Sequence, residues 1–139
     1  MKRFIGLVAV LATQWAMAGE LKGVKMPDSL TVEGKTLTLN GLGLRKKLVF
    51  NVYVGGLYLE TKSSDPDAIL KADTARRVDM QMMRNLDKGT IVEAIKKGVE
   101  KNSPQQMEAL KERLEKLADA IPDLKEGQKL TIVYVPGKG

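Results

Sequence analysis

Polar and apolar residues alternate along the first half of the chain, as in β-strands whose two faces differ. Residues 30–32 and 36–39 alternate on either side of a glycine, which predicts a β-hairpin. Asn40-Gly41 then predicts a turn. Residues 47–60 are rich in β-branched and aromatic residues and predict the central strand of a sheet, in which Gly55-Gly56 marks a bulge or a close approach.

Two later segments extend the predicted sheet. Residues 77–82 alternate again, and residues 129–135 form a last β-rich run. After the central strand, Ser64-Asp65-Pro66 predicts the start of a short helix through Ile69 and Leu70, because proline is favourable at the first helical position.

Helical spacing replaces this alternation between residues 90 and 122. Residues 90–93 and 103–106 both have capping-box spacing, and each segment is followed by apolar residues that share one helix face. These apolar residues are Val92, Ile95 and Val99 in the first helix, and Met107, Leu110, Leu114 and Leu117 in the second. Pro122 ends the second helix. The order of elements predicts one α+β domain over residues 19–139, with helices packed on an antiparallel sheet.

The composition excludes whole classes of chemistry. The sequence contains no cysteine and no histidine, which removes thiolate nucleophiles, imidazole acid–base catalysis and nearly all transition-metal sites. We therefore expect no metal and no bound cofactor. The net charge is +6, but the basic residues are scattered among acidic ones on the predicted helices, which favours a solvated surface over a nucleic-acid site.

Residues 1–18 have the three parts of a secretory signal peptide. Lys2 and Arg3 form a positive start, residues 4–12 are uncharged and apolar, and Ala16-Met17-Ala18 provides the small residues that signal peptidase requires. The apolar stretch is shorter than the roughly 20 residues of a spanning helix. We expect cleavage before Gly19, export, and no membrane span in the mature protein.

Three sequence runs resemble the bacterial, exported chalcone isomerase-like proteins. They are LNGLGLRKK at residues 39–47, VYVGGLYLE at residues 52–60 and YVPGKG at residues 134–139. The resemblance implies an open-faced β-sandwich, with one large antiparallel sheet carrying a layer of helices, and a periplasmic location. Relatives usually continue into another strand and a helical end with a Trp-Leu-Gly motif. The chain is therefore expected to be short at its C-terminus, which would leave residues 130–135 unpaired along one side.

The resemblance also implies two ligand-binding residues. In plant chalcone isomerases the arginine of a G-x-G-x-R turn binds the substrate, and it matches Arg45; a threonine sits on the next strand, and Tyr53 stands in its place here. A third residue, a tyrosine at a helix start, has no counterpart here. We therefore expect a binding site for a small amphipathic ligand such as a fatty acid, whose carboxylate contacts Arg45 and Tyr53. Its tail is expected to lie against Val78, Met80, Met82, Ile95 and Val99.

Several alternatives stay open from the sequence. Arg45 could be a turn residue paired with a surface carboxylate, and Tyr53 a core aromatic whose hydroxyl reaches the rim. The protein could instead be an isomerase or intramolecular lyase acting on another substrate. It could also be an envelope interaction module without a small ligand, in which a protein partner adds a strand beside residues 130–135.

Overall fold

A computed structural model describes residues 19–138 of the protein, and the predicted signal peptide at residues 1–18 lies outside this range. The described chain contains seven strands, three α-helices and one 3-10 turn. The strands are β1 (Gly19–Leu21), β2 (Val24–Met26), β3 (Ser29–Val32), β4 (Lys35–Lys47), β5 (Phe50–Leu59), β6 (Arg76–Met82) and β7 (Lys129–Tyr134). The helices are α1 (Pro66–Lys71), α2 (Lys88–Asn102) and α3 (Met107–Ala120), and the 3-10 turn (Pro104–Gln106) precedes α3.

Five strands form one antiparallel sheet in the order β3-β4-β5-β6-β7, so each strand pairs with its neighbour in sequence. The short β1–β2 hairpin forms a separate two-stranded sheet. The long strands β4 and β5 are central, and β7 is at one edge. This architecture confirms the predicted α+β fold with a large antiparallel sheet and helices.

The β3–β4 hairpin is confirmed at the predicted position. Val32 pairs with Lys35, and the two turn residues Glu33 and Gly34 have φ angles of 49° and 77°. Positive φ at both central residues is the geometry whose twist matches a two-residue hairpin, and glycine adopts it without strain.

The turn predicted at Asn40-Gly41 is wrong, because β4 continues through both residues. Leu39 pairs with Tyr58 and Gly41 with Leu57, so Asn40 is the extra residue of a β-bulge. Its side chain donates from Nδ2 to the Ser63 carbonyl at 2.9 Å and accepts from the Ser63 amide at 2.8 Å. These long-range bonds, together with pairing to β5, outweigh the local turn preference of the dipeptide.

The G-x-G-x-R segment is likewise a strand rather than the expected turn. Gly41, Gly43 and Arg45 occupy alternate positions along β4, and pairing with β5 continues as far as Lys47 and Phe50. The chain reverses only at Leu48-Val49. The G-x-G-x-R motif therefore places its two glycines on one face of the sheet, since residues two apart in a strand share a face.

Two hydrophobic clusters lie on opposite faces of the sheet. The first packs under the β1–β2 hairpin, and its buried members are Val24, Met26, Val32, Leu37, Leu39, Val54, Tyr58 and Ala75. The second lies between the sheet and the helices, and its buried members are Met82, Ile91, Ile121 and Leu124. We call the side of the sheet that carries the second cluster the helix face.

Side-chain caps mark the start of two of the helices, α1 and α2. Asp65 caps α1 by accepting from the amides of Asp67 and Ala68, as predicted for this segment. The predicted capping box at residue 90 is wrong, since Asp87 caps α2 and accepts from the Thr90 amide at 2.8 Å. Ser103 makes no side-chain capping bond, because the 3-10 turn separates it from α3. No helix within residues 19–138 is both long and apolar enough to cross a membrane.

Candidate functional site

Arg45 and Tyr53 lie directly opposite each other on β4 and β5. Paired residues of antiparallel strands project from the same face, with Cβ atoms about 5 Å apart. The structure thus brings the two predicted residues together on the helix face. A second bulge, at Val52, follows immediately, because Lys46 pairs with Asn51.

The Arg45 side chain is exposed, and no carboxylate within residues 19–138 lies within ion-pair distance of it. The interpretation of Arg45 as a turn residue paired with a surface carboxylate therefore does not hold. An arginine side chain carries a permanent charge and presents donors in a planar fork. The guanidinium is thus accessible to an anion arriving from solvent.

Tyr53 has a different environment from its neighbour. It is half-buried and packs against the second hydrophobic cluster, and Met82 on β6 pairs with it directly. The aromatic ring therefore contributes to the packing between the sheet and the helices. This agrees with the interpretation of Tyr53 as a core aromatic, while its pairing with Arg45 places it at the margin of that core.

The sheet beside this pair has a floor without side chains. Gly43 on β4 pairs with Gly55 on β5, one row along from Arg45 and Tyr53, and Gly41 follows one row further. A Cβ added at Gly41 or Gly43 would meet nothing within 4 Å, and one at Gly55 would meet the Tyr53 ring at 3.5 Å. We call Gly41, Gly43 and Gly55 the glycine strip. Gly41 and Gly43 are exposed and Gly55 is partly exposed, so the strip offers open sheet surface that starts one row from the Arg45–Tyr53 pair.

Most residues expected to contact a ligand tail lie beside the glycine strip. Met80 pairs with Gly55, and Val78 pairs with Leu57 in the next row. Met80 and Ile95 pack around the second cluster and Met82 is buried within it, whereas Val99 belongs to neither cluster. Three of the expected residues therefore line neighbouring rows of one sheet face, and Ile95 approaches that face from α2.

Two surface depressions lie away from Arg45. The cleft between α2 and α3, lined by Val92, Ile95 and Leu114 among others, has no room for a water molecule. A second depression of about 280 Å³ is polar and borders Asn40, Lys62 and Ser63. We favour the glycine strip as the ligand surface, because it adjoins the exposed Arg45 and apolar side chains, whereas the α2–α3 cleft, although Lys96 borders it, has no room for a ligand.

Groups able to transfer protons are few near Arg45. Of the three tyrosines, Tyr58 projects to the opposite face and donates to the Pro27 carbonyl at 2.9 Å. Burial raises the pKa of the Tyr58 hydroxyl, and the Asp79 charge raises it further. Tyr134 donates to Asp73 at 2.5 Å and stacks with Arg76, whose Cζ is 4.8 Å from the ring centre. Within residues 19–138, Tyr53 is thus the one tyrosine beside Arg45.

A buried polar group was missed by the sequence reasoning. Asp79 is 3% exposed and accepts from Arg77 Nε at 2.6 Å, from Arg77 Nη2 at 3.0 Å and from Thr131 Oγ1 at 2.9 Å. The bond to Asp79 raises the pKa of Arg77. The sequence pattern that could have indicated the buried Asp79 is the alternation of Arg77, Asp79 and Gln81, which puts polar residues on the face opposite the helices. Because both oxygens of Asp79 are bonded, we assign it a structural role.

The comparisons with known proteins agree with this architecture. A fatty-acid binding protein of Arabidopsis thaliana has a similar structure, with a TM-score of 0.65 over 83% of this chain and 70% of that chain. At 18% sequence identity the likeness shows the fold alone. A search of curated proteins finds no match by sequence. The family model described as chalcone isomerase-like matches residues 18–139, which include every strand and helix above, and the chain therefore belongs to the chalcone isomerase-like family.

Proposed function

We propose that this protein binds a fatty acid or a similar amphipathic carboxylate without transforming it. One observation carries the proposal: the charged Arg45–Tyr53 row adjoins the side-chain-free Gly43–Gly55 row on the same sheet face. That order, a cationic anchor followed by an open apolar path, matches the order of chemical groups in a fatty acid. The structural likeness to a fatty-acid binding protein supports the proposal.

The head group of the ligand would contact Arg45. A carboxylate accepts two parallel bonds from a guanidinium, and such charge-assisted bonds are roughly twice as strong as neutral ones. The Tyr53 hydroxyl supplies a second donor from the opposite strand. Because Arg45 has no competing carboxylate within residues 19–138, the ligand does not have to displace an internal partner.

The tail of the ligand would lie along the glycine strip. From the Arg45 row to the Gly41 row is four residues, about 13 Å of strand. Along this path the tail contacts the Tyr53 ring, Met80 and Leu57 on the neighbouring strands. Each buried methylene contributes about 0.8 kcal/mol, so a path of this length favours medium and long acyl chains over short ones.

The same geometry supports binding over catalysis. Isomerisation of a chalcone requires several preorganised donors around the oxygen that gains negative charge. Beside Arg45 the described residues supply the single hydroxyl of Tyr53. We place the activity outside the cytoplasm, in the periplasm, on the three-part signal sequence of residues 1–18.

Replacing Arg45 with alanine should weaken fatty-acid binding about 10- to 100-fold, the equivalent of one charge-assisted hydrogen bond. Displacement of a fluorescent fatty acid measures the change. R45K keeps the charge but loses the planar fork, so we expect an intermediate affinity. R113A removes an exposed arginine on α3 and serves as the matched control. Equal affinities for R45A and R113A would rule out Arg45 as the anchor.

Replacing Gly43 with valine should shorten the tail path. The added side chain has open space on the folded protein and suits a strand, so we expect the fold to be kept. In the natural protein, affinity should rise about two- to fourfold per methylene from hexanoate to dodecanoate. In G43V this rise should stop at short chains. The same chain-length dependence in both proteins would contradict a tail lying on the glycine strip.

A further inference from the structure

The hairpin joining β4 and β5 ends in three consecutive exposed apolar residues. Leu48 is 87% exposed, Val49 84% and Phe50 52%. We call Leu48, Val49 and Phe50 the hairpin tip. Single exposed apolar residues are ordinary on protein surfaces, but contiguous ones at a projecting turn mark an interaction site more often than chance.

Turn formation does not account for these residues. A two-residue hairpin turn favours glycine, asparagine or aspartate where φ is positive. Leu48 occupies that position with a φ of 55°, a conformation that leucine rarely adopts. At the equivalent position of the β3–β4 hairpin, with a φ of 49°, the chain has the polar residue Glu33. The hairpin tip therefore carries leucine against the preference of its own backbone.

Basic residues surround the hairpin tip. Arg45, Lys46 and Lys47 precede it on β4, and Arg84 stacks over Phe50 with its Cζ 4.4 Å from the ring centre. Lys97, at 2.7 Å, and to a smaller extent Lys47 lower the pKa of Glu93 on α2, so this carboxylate is already paired with Lys97. The surroundings of the tip are therefore positive.

We propose that the hairpin tip docks the protein on an anionic lipid bilayer. Leu48, Val49 and Phe50 enter the boundary between head groups and acyl chains, while Lys46, Lys47 and Arg84 contact lipid phosphates. A small apolar surface within a ring of basic residues has the composition of interfacial membrane anchors. Three exposed apolar residues form a surface far smaller than a stable protein partner covers, which favours a bilayer over a protein.

Docking through the hairpin tip would place the Arg45–Tyr53 pair close to the bilayer. Arg45 is near the end of β4, three residues before Leu48, so a docked protein would hold the Arg45–Tyr53 pair about 10 Å from the inserted residues. The docking proposal stands on the exposure and charge of the tip, and it does not require fatty-acid binding.

Vesicle co-sedimentation tests the proposal. The chain is used from Gly19, because the apolar residues 4–12 would bind lipid themselves, and residues 19–138 contain both core clusters. We expect partitioning onto phosphatidylcholine vesicles that contain phosphatidylglycerol, and much less onto phosphatidylcholine alone. L48S/V49S and K46Q/K47Q should each weaken this partitioning about tenfold or more.

The α1 helix provides a matched control at the opposite end of β5. Leu70 is 74% exposed and is followed by a lysine, so L70S/K71Q removes one exposed apolar and one basic side chain in the helix that follows β5. This variant should partition like the unmodified chain. Equal partitioning of L48S/V49S and L70S/K71Q would overturn the proposal, as would failure to bind either vesicle.

A fluorescent reporter tests insertion directly. The chain from Gly19 contains no tryptophan, so L48W places a single reporter at the tip and L70W one on α1. Anionic vesicles should shift the emission of L48W to shorter wavelength and leave that of L70W unchanged. An unshifted L48W on sedimented vesicles would overturn the tip as the contact. G43V should bind vesicles normally, which separates failure of this proposal from failure of fatty-acid binding.

Discussion

Replacing Asp79 with alanine should lower the free energy of unfolding by about 3 kcal/mol, because it leaves the partly buried guanidinium of Arg77 and the hydroxyl of Thr131 without their acceptor. Asp79 is 3% exposed, and its two oxygens accept from Arg77 and Thr131. The Arg77 side chain is 28% exposed, so water screens part of its charge. For this reason we expect the lower end of the roughly 3–5 kcal/mol found for buried pairs. Urea unfolding followed by far-UV circular dichroism measures the change.

Two further variants separate the lost charge pair from lost packing. T131V removes one hydrogen bond and keeps the shape of the side chain, so it should cost about 1 kcal/mol. R77M/D79L replaces both charges with apolar groups and should recover most of the stability lost in D79A, as buried pairs exchanged for apolar residues often do. A double variant as unstable as D79A would show that packing around Asp79, rather than the unpaired Arg77 charge, sets the loss.

Most elements of the fold were predictable because their signals are local. Alternation placed the β3–β4 hairpin, β6 and β7, and the glycine at Gly34 fixed the first turn. Asp65 and Pro66 marked the start of α1 for the same reason, since a cap acts within one helical turn. For these elements, the backbone and side-chain preferences of a few neighbouring residues were sufficient to predict the structure.

The errors in the sheet share one physical cause, which is long-range pairing that overrides local preference. Asn40-Gly41 has the composition of a turn, yet Asn40 bonds to Ser63, 23 residues away, and β4 continues. Because β4 continues, the G-x-G-x-R segment, which was expected to be a turn, is part of a strand. The sequence alone does not show which strand pairs with β4, so the bulge at Asn40 was not predictable.

The candidate site depends on that unpredicted register. Family resemblance named Arg45 and Tyr53, but only pairing of β4 with β5 shows that they face each other. A shift of one residue would put them on opposite faces, because side chains alternate along a strand. The Gly43–Gly55 pair follows from the same register. The sequence contains each glycine, while their meeting in one row is a property of the folded sheet.

Replacing Gly56 with alanine should lower the free energy of unfolding by about 2 kcal/mol, the typical cost of forcing an extra carbon into a packed core. Gly56 is buried on β5 beneath the β1–β2 hairpin. A Cβ there would overlap Met26 Sδ, and it would lie 3.3 Å from both Leu39 Cδ1 and Leu42 Cδ2. Met26 is fully buried, so it has little room to move aside.

The neighbouring glycine makes this prediction specific to the close approach. Gly55 lies on the same strand but projects to the helix face, where a Cβ would meet the Tyr53 ring at an ordinary 3.5 Å. G55A should therefore change the free energy of unfolding by less than about 1 kcal/mol, and it removes some backbone freedom from the unfolded chain. Thermal and urea unfolding of both variants measure the difference. Equal losses in G55A and G56A would mean that strand flexibility, rather than contact with Met26, requires glycine at this point in β5.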